Sequence, residues 1–282
     1  MNPERLVIFD YSGTLSRGAV LFARQESLMK HLTESGLGRL GIDNCDVFWR
    51  EIVNATWDEG STTSTGYTEL IVKRLREISP HGETMSLPHM EAAAFRFVHA
   101  YLTHSAPDRP WKPLLARLAA HPRTCLLIAT DHYAEATGYI IDFLEAMGIP
   151  AKRAREFSTK PAGDAAFVAN SADMGYPKAD RLFWEILKSE LPLNDIRRIL
   201  LVDDFGCNES EGDDYGITAK VAARKDTTTC ILAEVFTGDI TVLPFLIPPE
   251  KREPITDDHN GDACEELINS TIQQVEAWLS ER

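Results

Sequence analysis

Three short runs in this chain are apolar throughout and stop abruptly at a polar side chain. They are Leu6-Val7-Ile8-Phe9 before Asp10, Leu126-Leu127-Ile128-Ala129 before Thr130, and Ile199-Leu200-Leu201-Val202 before Asp203-Asp204. A run with no polar alternation reads as a strand buried on both faces, as in a parallel sheet packed between helices. Helical patterns separate the runs, as parallel neighbours require. Together these features predict an α/β fold, a three-layer doubly wound parallel sheet. In such sheets ligands bind beyond the carboxyl ends of the strands, at the switch in strand order. Asp10, Thr130 and the Asp203–Asp204 pair are therefore expected on one rim. The plainer role for Asp10 is to cap a turn or the next helix.

The rest of the pattern divides the chain. Residues 19–35, 46–57, 67–78 and 89–102 carry apolar side chains at helical spacing, with a Ser/Thr/Gly loop at 60–66 and a break at 106–110. Residues 16–108 are read as a helical insert. The α/β core is then residues 1–15 together with 109–282. Within the core, helices are expected at 111–120 and 134–147, with Gly148 closing the latter. A third is expected at 177–188, with a proline in its first turn. Further strands are expected at 166–169 and 228–232, a surface loop at 247–262, and a last amphipathic helix at 265–279.

Composition excludes several classes. The 282 residues are 44% hydrophobic, enough for one large or two modest cores, and the formal charge is −14. No Lys/Arg-rich block interrupts that acidic background, which speaks against a nucleic-acid partner. The five cysteines form no CxxC pair and no Cys/His cluster, so neither a disulfide framework nor a zinc site is expected. Reduced thiols, with no signal-peptide pattern and no apolar run near the ~20 residues of a membrane span, predict a cytoplasmic protein without membrane contact. Nothing in the pattern fixes an oligomeric state.

Two further groups carry chemical meaning. Lys178 follows Gly175-Tyr176-Pro177 and precedes an apolar helical stretch with Phe183, and Lys160, before Pro161, is its rival. Adjacent carboxylates at the end of an apolar strand, as at Asp203-Asp204, are costly unless a cation sits among them. Mg²⁺, which prefers hard oxygen ligands, is the natural one.

The segment Asp10-Tyr11-Ser12-Gly13-Thr14 resembles the first motif of the haloacid dehalogenase superfamily, whose usual form is Asp-x-Asp-Gly-Thr. Thr130 is similar to that family's second motif, Gly175 to Phe183 to its third, and Asp203-Asp204 to its fourth. The match covers residues 6–15 and about 111–235. Residues 16–108 would then be the family's cap domain. The resemblance implies a Mg²⁺-dependent hydrolase acting on a small phosphorylated metabolite through an aspartyl phosphate on Asp10. It implies metal ligation by Asp10, the Ser12 carbonyl, Asp203 or Asp204, and Asn208. It further implies phosphoryl contacts from Thr14, Thr130, Asp131, His132, Lys178 and the loop amides of residues 11–14.

Ser12 departs from the motif. The family's second Asp moves the proton, and losing such a group typically costs roughly 10²–10⁴-fold in rate. His132 or a carboxylate of the cap is expected to supply that proton. Two other readings stay open. One is a phosphonatase-like C–P hydrolase, which needs a cap lysine, Lys30 or Lys73. The other is a phosphate-binding protein without catalysis.

Overall fold

A computed structural model of the chain describes residues 2–78, 86–155, 165–209, 212–248 and 259–281. Six strands form one sheet: β1 (Arg5–Phe9), β2 (Thr124–Thr130), β3 (Ala151–Arg153), β4 (Ala166–Asn170), β5 (Arg198–Asp203) and β6 (Asp239–Pro244). They lie in the order β3-β4-β2-β1-β5-β6. All five pairings are parallel. The chain runs outward from β1 on one side, then returns to add β5 and β6 on the other. The switch in strand order therefore falls at β1, the strand that delivers Asp10.

The three layers follow from the two-residue period of the strands. Val7, Phe9, Leu126, Ile128, Leu200 and Val202 face one helical layer. That layer contains α7 (Lys112–Ala119), α8 (Ala136–Ala146) and α12 (His259–Ser280). Leu6, Ile8, Leu127, Ala129, Ile199 and Leu201 face the other. There α10 (Arg181–Glu190) contributes Phe183, Trp184 and Leu187, and α11 (Thr218–Phe236) contributes Leu232, Val235 and Phe236. The short α9 (Ser171–Met174) follows β4 directly.

Between β1 and β2 the described chain is helical. It comprises α1 (Arg17–Phe22), α2 (Gln25–Ser35), α3 (Cys45–Val47), α4 (Asn54–Gly60), α5 (Tyr67–Ile78) and α6 (Leu87–His104), with a π-helical turn at Phe48–Val53 joining α3 to α4. The two strands linking this insert to the core are tied together. Asp108 donates its backbone N–H to the Leu15 carbonyl at 2.8 Å. Arg17 pairs with Asp108 at 2.9 Å, and the Tyr11 hydroxyl donates to the Ser105 carbonyl.

Several expectations need correction. Residues 228–232 are not a strand but the interior of α11. The β-branched Thr-Thr-Thr run gives way to a 19-residue helix whose Thr228, Leu232, Val235 and Phe236 are buried. The edge strand is instead β6, a half-exposed segment without the apolar run that marks its neighbours. The third expected core helix starts at Arg181, capped by the Asp180 side chain, so Lys178 lies in the preceding turn. Residues 19–35 form two helices, not one. The helix after β2 ends with Met147 as its cap, and Gly148 adopts a left-handed conformation beyond it. The last helix starts at His259, inside the expected loop, most of which, residues 249–258, lies outside the described residues. Lys160 lies outside them too.

Candidate active site

Asp10 follows β1, and its backbone N–H still reaches the Val202 carbonyl of β5 at 2.9 Å. The two strand ends are thereby locked in register, and their carboxylates meet. Asp10, Asp203 and Asp204 are all buried and can each offer an oxygen within 4.8 Å of the others. Lys178, only 3% exposed, bridges two of them. Its Nζ donates to Asp10 Oδ1 at 2.6 Å and to Asp203 Oδ2 at 2.8 Å.

The turn that carries Lys178 is fixed from two sides. Its backbone N–H donates to Asp131 Oδ1 at 2.8 Å, and its carbonyl accepts from the Trp184 indole at 2.7 Å. Asp131 also accepts from the Tyr215 hydroxyl at 2.9 Å. Asp131 Oδ1 thus holds the turn, while its Oδ2 is taken by Tyr215. Thr130 ends β2, is 1% exposed and lines the cavity beside Asp10.

The loop after Asp10 is shaped by its glycine. Gly13 has φ +74°, and a Cβ there would lie 2.8 Å from Asp204 Oδ2. Only glycine allows both that backbone and that approach. The amides of Gly13 and Thr14 are spent inside the loop, on the Ser16 and Tyr11 carbonyls. Of the four amides expected around a phosphoryl group, those of Tyr11 and Ser12 are left for it. The Thr14 hydroxyl accepts from the Asp204 backbone N–H at 3.2 Å, so it positions the acidic pair. After that pair the chain turns through Phe205, buried with φ +55°. This left-handed conformation costs a non-glycine residue of order 1–3 kcal/mol. Its N–H is held by Asp203 Oδ1 at 2.6 Å.

Asn208 is buried, and its carboxamide is committed to backbone. Nδ2 donates to the carbonyls of Gly13 and Phe245, each at 2.9 Å, and Oδ1 accepts from Ile247 N at 3.0 Å. The structure shows it stitching three segments behind Asp203 and Asp204. Its neighbour Glu209 lines the cavity, and its Oε1 accepts from the Ser12 hydroxyl at 3.3 Å. An isolated Glu in the run 208–214 offers no periodicity to distinguish it from solvated neighbours. Its distance from the loop of residue 12 is a product of tertiary structure alone.

The electrostatics follow from crowding carboxylates in a buried place. Burial pushes Asp10 well above the usual carboxylate range, against the pull of Lys178, and Asp203 and Asp204 add to the rise. Burial and then Asp203 push Asp204 up to about 7. Burial, then Asp213 and Asp204, raise Glu209 well above its usual value. Burial works against the charge on Lys178, but Asp10 and Asp203 outweigh it, and its ammonium is held above the ordinary lysine value. Three carboxylates around one ammonium leave an excess of negative charge. The donor set therefore fits a hard divalent cation such as Mg²⁺.

His132 is accounted for differently. Its Nδ1 accepts from Tyr133 N at 2.8 Å, and its Nε2 meets the Tyr101 hydroxyl at 3.0 Å. Burial lowers its pKa to about 4, so it is neutral at pH 7. Lys30 and Lys73 are surface groups, paired with Glu34 and Glu59. Neither is among the residues lining the two cavities.

No family model matches the chain, and no curated protein matches it. Among solved structures, the 2-haloacid dehalogenase from Pseudomonas syringae pv. Tomato is similar over 76% of this chain and 83% of that chain, at 19% identity and a TM-score of 0.45. The fold class stated above rests on strand order and layering. Among the described residues, no helix is long and apolar enough to cross a membrane.

Proposed function

We propose that this chain is a Mg²⁺-dependent phosphohydrolase that acts on a small phosphorylated metabolite through an aspartyl phosphate on Asp10. The observation that carries the reading is the buried contact of Lys178 with Asp10 and Asp203, with Asp204 within common reach. A sheet needs no such cluster, and a binding protein needs no nucleophile.

Asp10, the Ser12 carbonyl and the Asp203–Asp204 pair would hold the ion. When bound, Mg²⁺ supplies the positive charge that lets a carboxylate approach a phosphoryl dianion. Lys178 steadies Asp10, and two of the three donors of its ammonium are used on Asp10 and Asp203. The Thr130 hydroxyl, which lines the cavity, and the amides of Tyr11 and Ser12 would meet the phosphoryl oxygens. An Asp10 oxygen bonds to phosphorus as the P–O bond to the alcohol breaks, and the departing oxygen takes a proton. Glu209, in contact with Ser12, is the group supported for that transfer. Its carboxyl faces the cavity, whereas His132 is neutral and engaged with Tyr101. Water then attacks the aspartyl phosphate, returns a proton to Glu209 and releases inorganic phosphate, restoring Asp10.

The test is a panel of phosphomonoesters assayed with Mg²⁺ and with EDTA, on the native chain and on Asp10→Asn. Mg²⁺-dependent phosphate release that vanishes in the variant is expected. If no ester turns over and Asp10→Asn binds phosphate as the native chain does, the chain is a phosphate-binding protein instead. The C–P hydrolase reading draws no support from the surface positions of Lys30 and Lys73.

A further inference from the structure

The polar cavity at the strand ends has a volume of about 60 Å³. A second cavity of about 70 Å³ lies in the helical insert. Trp57, Tyr101, Glu209 and Asp213 line both, so the two share a wall. Beyond that wall the second chamber is lined mainly by apolar side chains, among them Ala19, Phe22, Leu28, Phe48, Val53 and Phe97. Among the described residues, no lysine or arginine lines either cavity.

We propose that this chamber takes the organic half of the substrate, and that the substrate is the phosphate monoester of a short, uncharged aliphatic alcohol. The inference rests on the phosphohydrolase reading and adds the substrate class. Three considerations select it. A phosphoryl group held at Asp10 would have Glu209 on its leaving-group side, and the wall shared at Trp57 and Tyr101 leads from there to the chamber. A second anionic group there would meet Glu209 and Asp213, and no described lysine or arginine lines the chamber. A polyhydroxylated chain would leave its hydroxyls unpaired against Phe22, Leu28, Phe48 and Phe97.

Volume sets the length. An apolar cavity of about 150 Å³ takes benzene, and this one has about half that volume. A linear chain of about four carbons suits it, and a ring does not.

The experiment compares kcat/KM in Mg²⁺ for n-butyl phosphate, sn-glycerol 3-phosphate, 3-phosphoglycerate and benzyl phosphate, with acetyl phosphate as a reactive probe that needs no chamber. n-Butyl phosphate is expected at least tenfold above each of the other three esters. In Ala19→Leu, which adds three carbons to the chamber wall, the ratio of n-butyl to acetyl phosphate turnover is expected to fall at least tenfold. Loss of folded protein lowers both activities alike and leaves that ratio intact. Hydrolysis of acetyl phosphate with glycerol 3-phosphate, phosphoglycerate or benzyl phosphate equal to or better than the butyl ester overturns the inference and leaves the phosphohydrolase reading standing. An unchanged ratio in Ala19→Leu overturns it too. Failure to hydrolyse acetyl phosphate or any ester overturns the reading on which it rests.

Discussion

In the absence of a divalent cation, the stability of this protein should fall as pH rises from about 4 to about 7. Asp204 holds its proton up to about pH 7 in the folded chain, against an ordinary value of 3.8. Between those values the folded state binds more protons than the unfolded state, so stability declines as pH rises, and the decline is complete above about pH 7. The interval is about three pH units at 1.36 kcal/mol each, a loss of roughly 4 kcal/mol. Asp10 shifts in the same direction and steepens the trend. A hundredfold excess of Mg²⁺ over its dissociation constant returns about 2.7 kcal/mol at pH 8, and little at pH 4, where the carboxyls are protonated. The assay is urea unfolding at pH 4, 6 and 8, in EDTA and in Mg²⁺. With a slope of about 3 kcal/mol/M, the EDTA midpoint should drop by about 1 M from pH 4 to pH 8. General repulsion in a chain of charge −14 also weakens stability as pH rises, and Asp204→Asn separates the two effects. That variant should lose the part of the slope that Asp204 carries and keep the part due to Asp10. Equal midpoints in EDTA at pH 4 and pH 8, or a slope unaltered by Asp204→Asn, would refute the reasoning.

Three substitutions probe the rest of the site. Gly13→Ala, with φ +74° and its Cβ 2.8 Å from Asp204 Oδ2, should cost about 1–3 kcal/mol and weaken Mg²⁺ binding, read by urea midpoints with and without the ion. Lys178→Met leaves Asp10 and Asp203 buried without their cation and should cost roughly 3–5 kcal/mol at pH 7 in EDTA. Mg²⁺ should recover part of that loss in the same unfolding assay. Glu209→Gln should slow phosphorylation of Asp10 by alkyl phosphates roughly 10²–10⁴-fold while sparing that step with acetyl phosphate, whose leaving group needs no proton, read by single-turnover kinetics. Equal losses on both substrates would remove Glu209 from proton transfer.

The parts of this site that could be read in the sequence are those that end a buried strand. Asp10, Thr130 and Asp203-Asp204 are each announced by a fully apolar run, because a strand covered on both faces tolerates no alternation. Lys178 is legible only through the turn before a helix, and the helix expected from 177 begins four residues later, at Arg181, because Asp180 caps it. β6 escaped notice because an edge strand is half-exposed and needs no apolar run. The Thr-Thr-Thr-Cys-Ile stretch of α11 misled because β-branching favours strands only weakly against tertiary packing. The jobs of Asn208 and Glu209 depend on where Gly13, Ser12, Phe245 and Ile247 arrive from distant parts of the chain, and no local pattern encodes that.

The central position of β1 has a consequence for biosynthesis. Arg5 is paired with Thr124 on one side and Arg198 on the other, so the middle strand leaves the ribosome long before either flank exists. At about 5–20 residues per second, roughly 6–24 s pass before β2 is translated and roughly 10–40 s before β5. Leu6 to Phe9 has both hydrogen-bonding edges open until β2 arrives and one edge open until β5 does, an apolar segment able to pair with another copy in the interval.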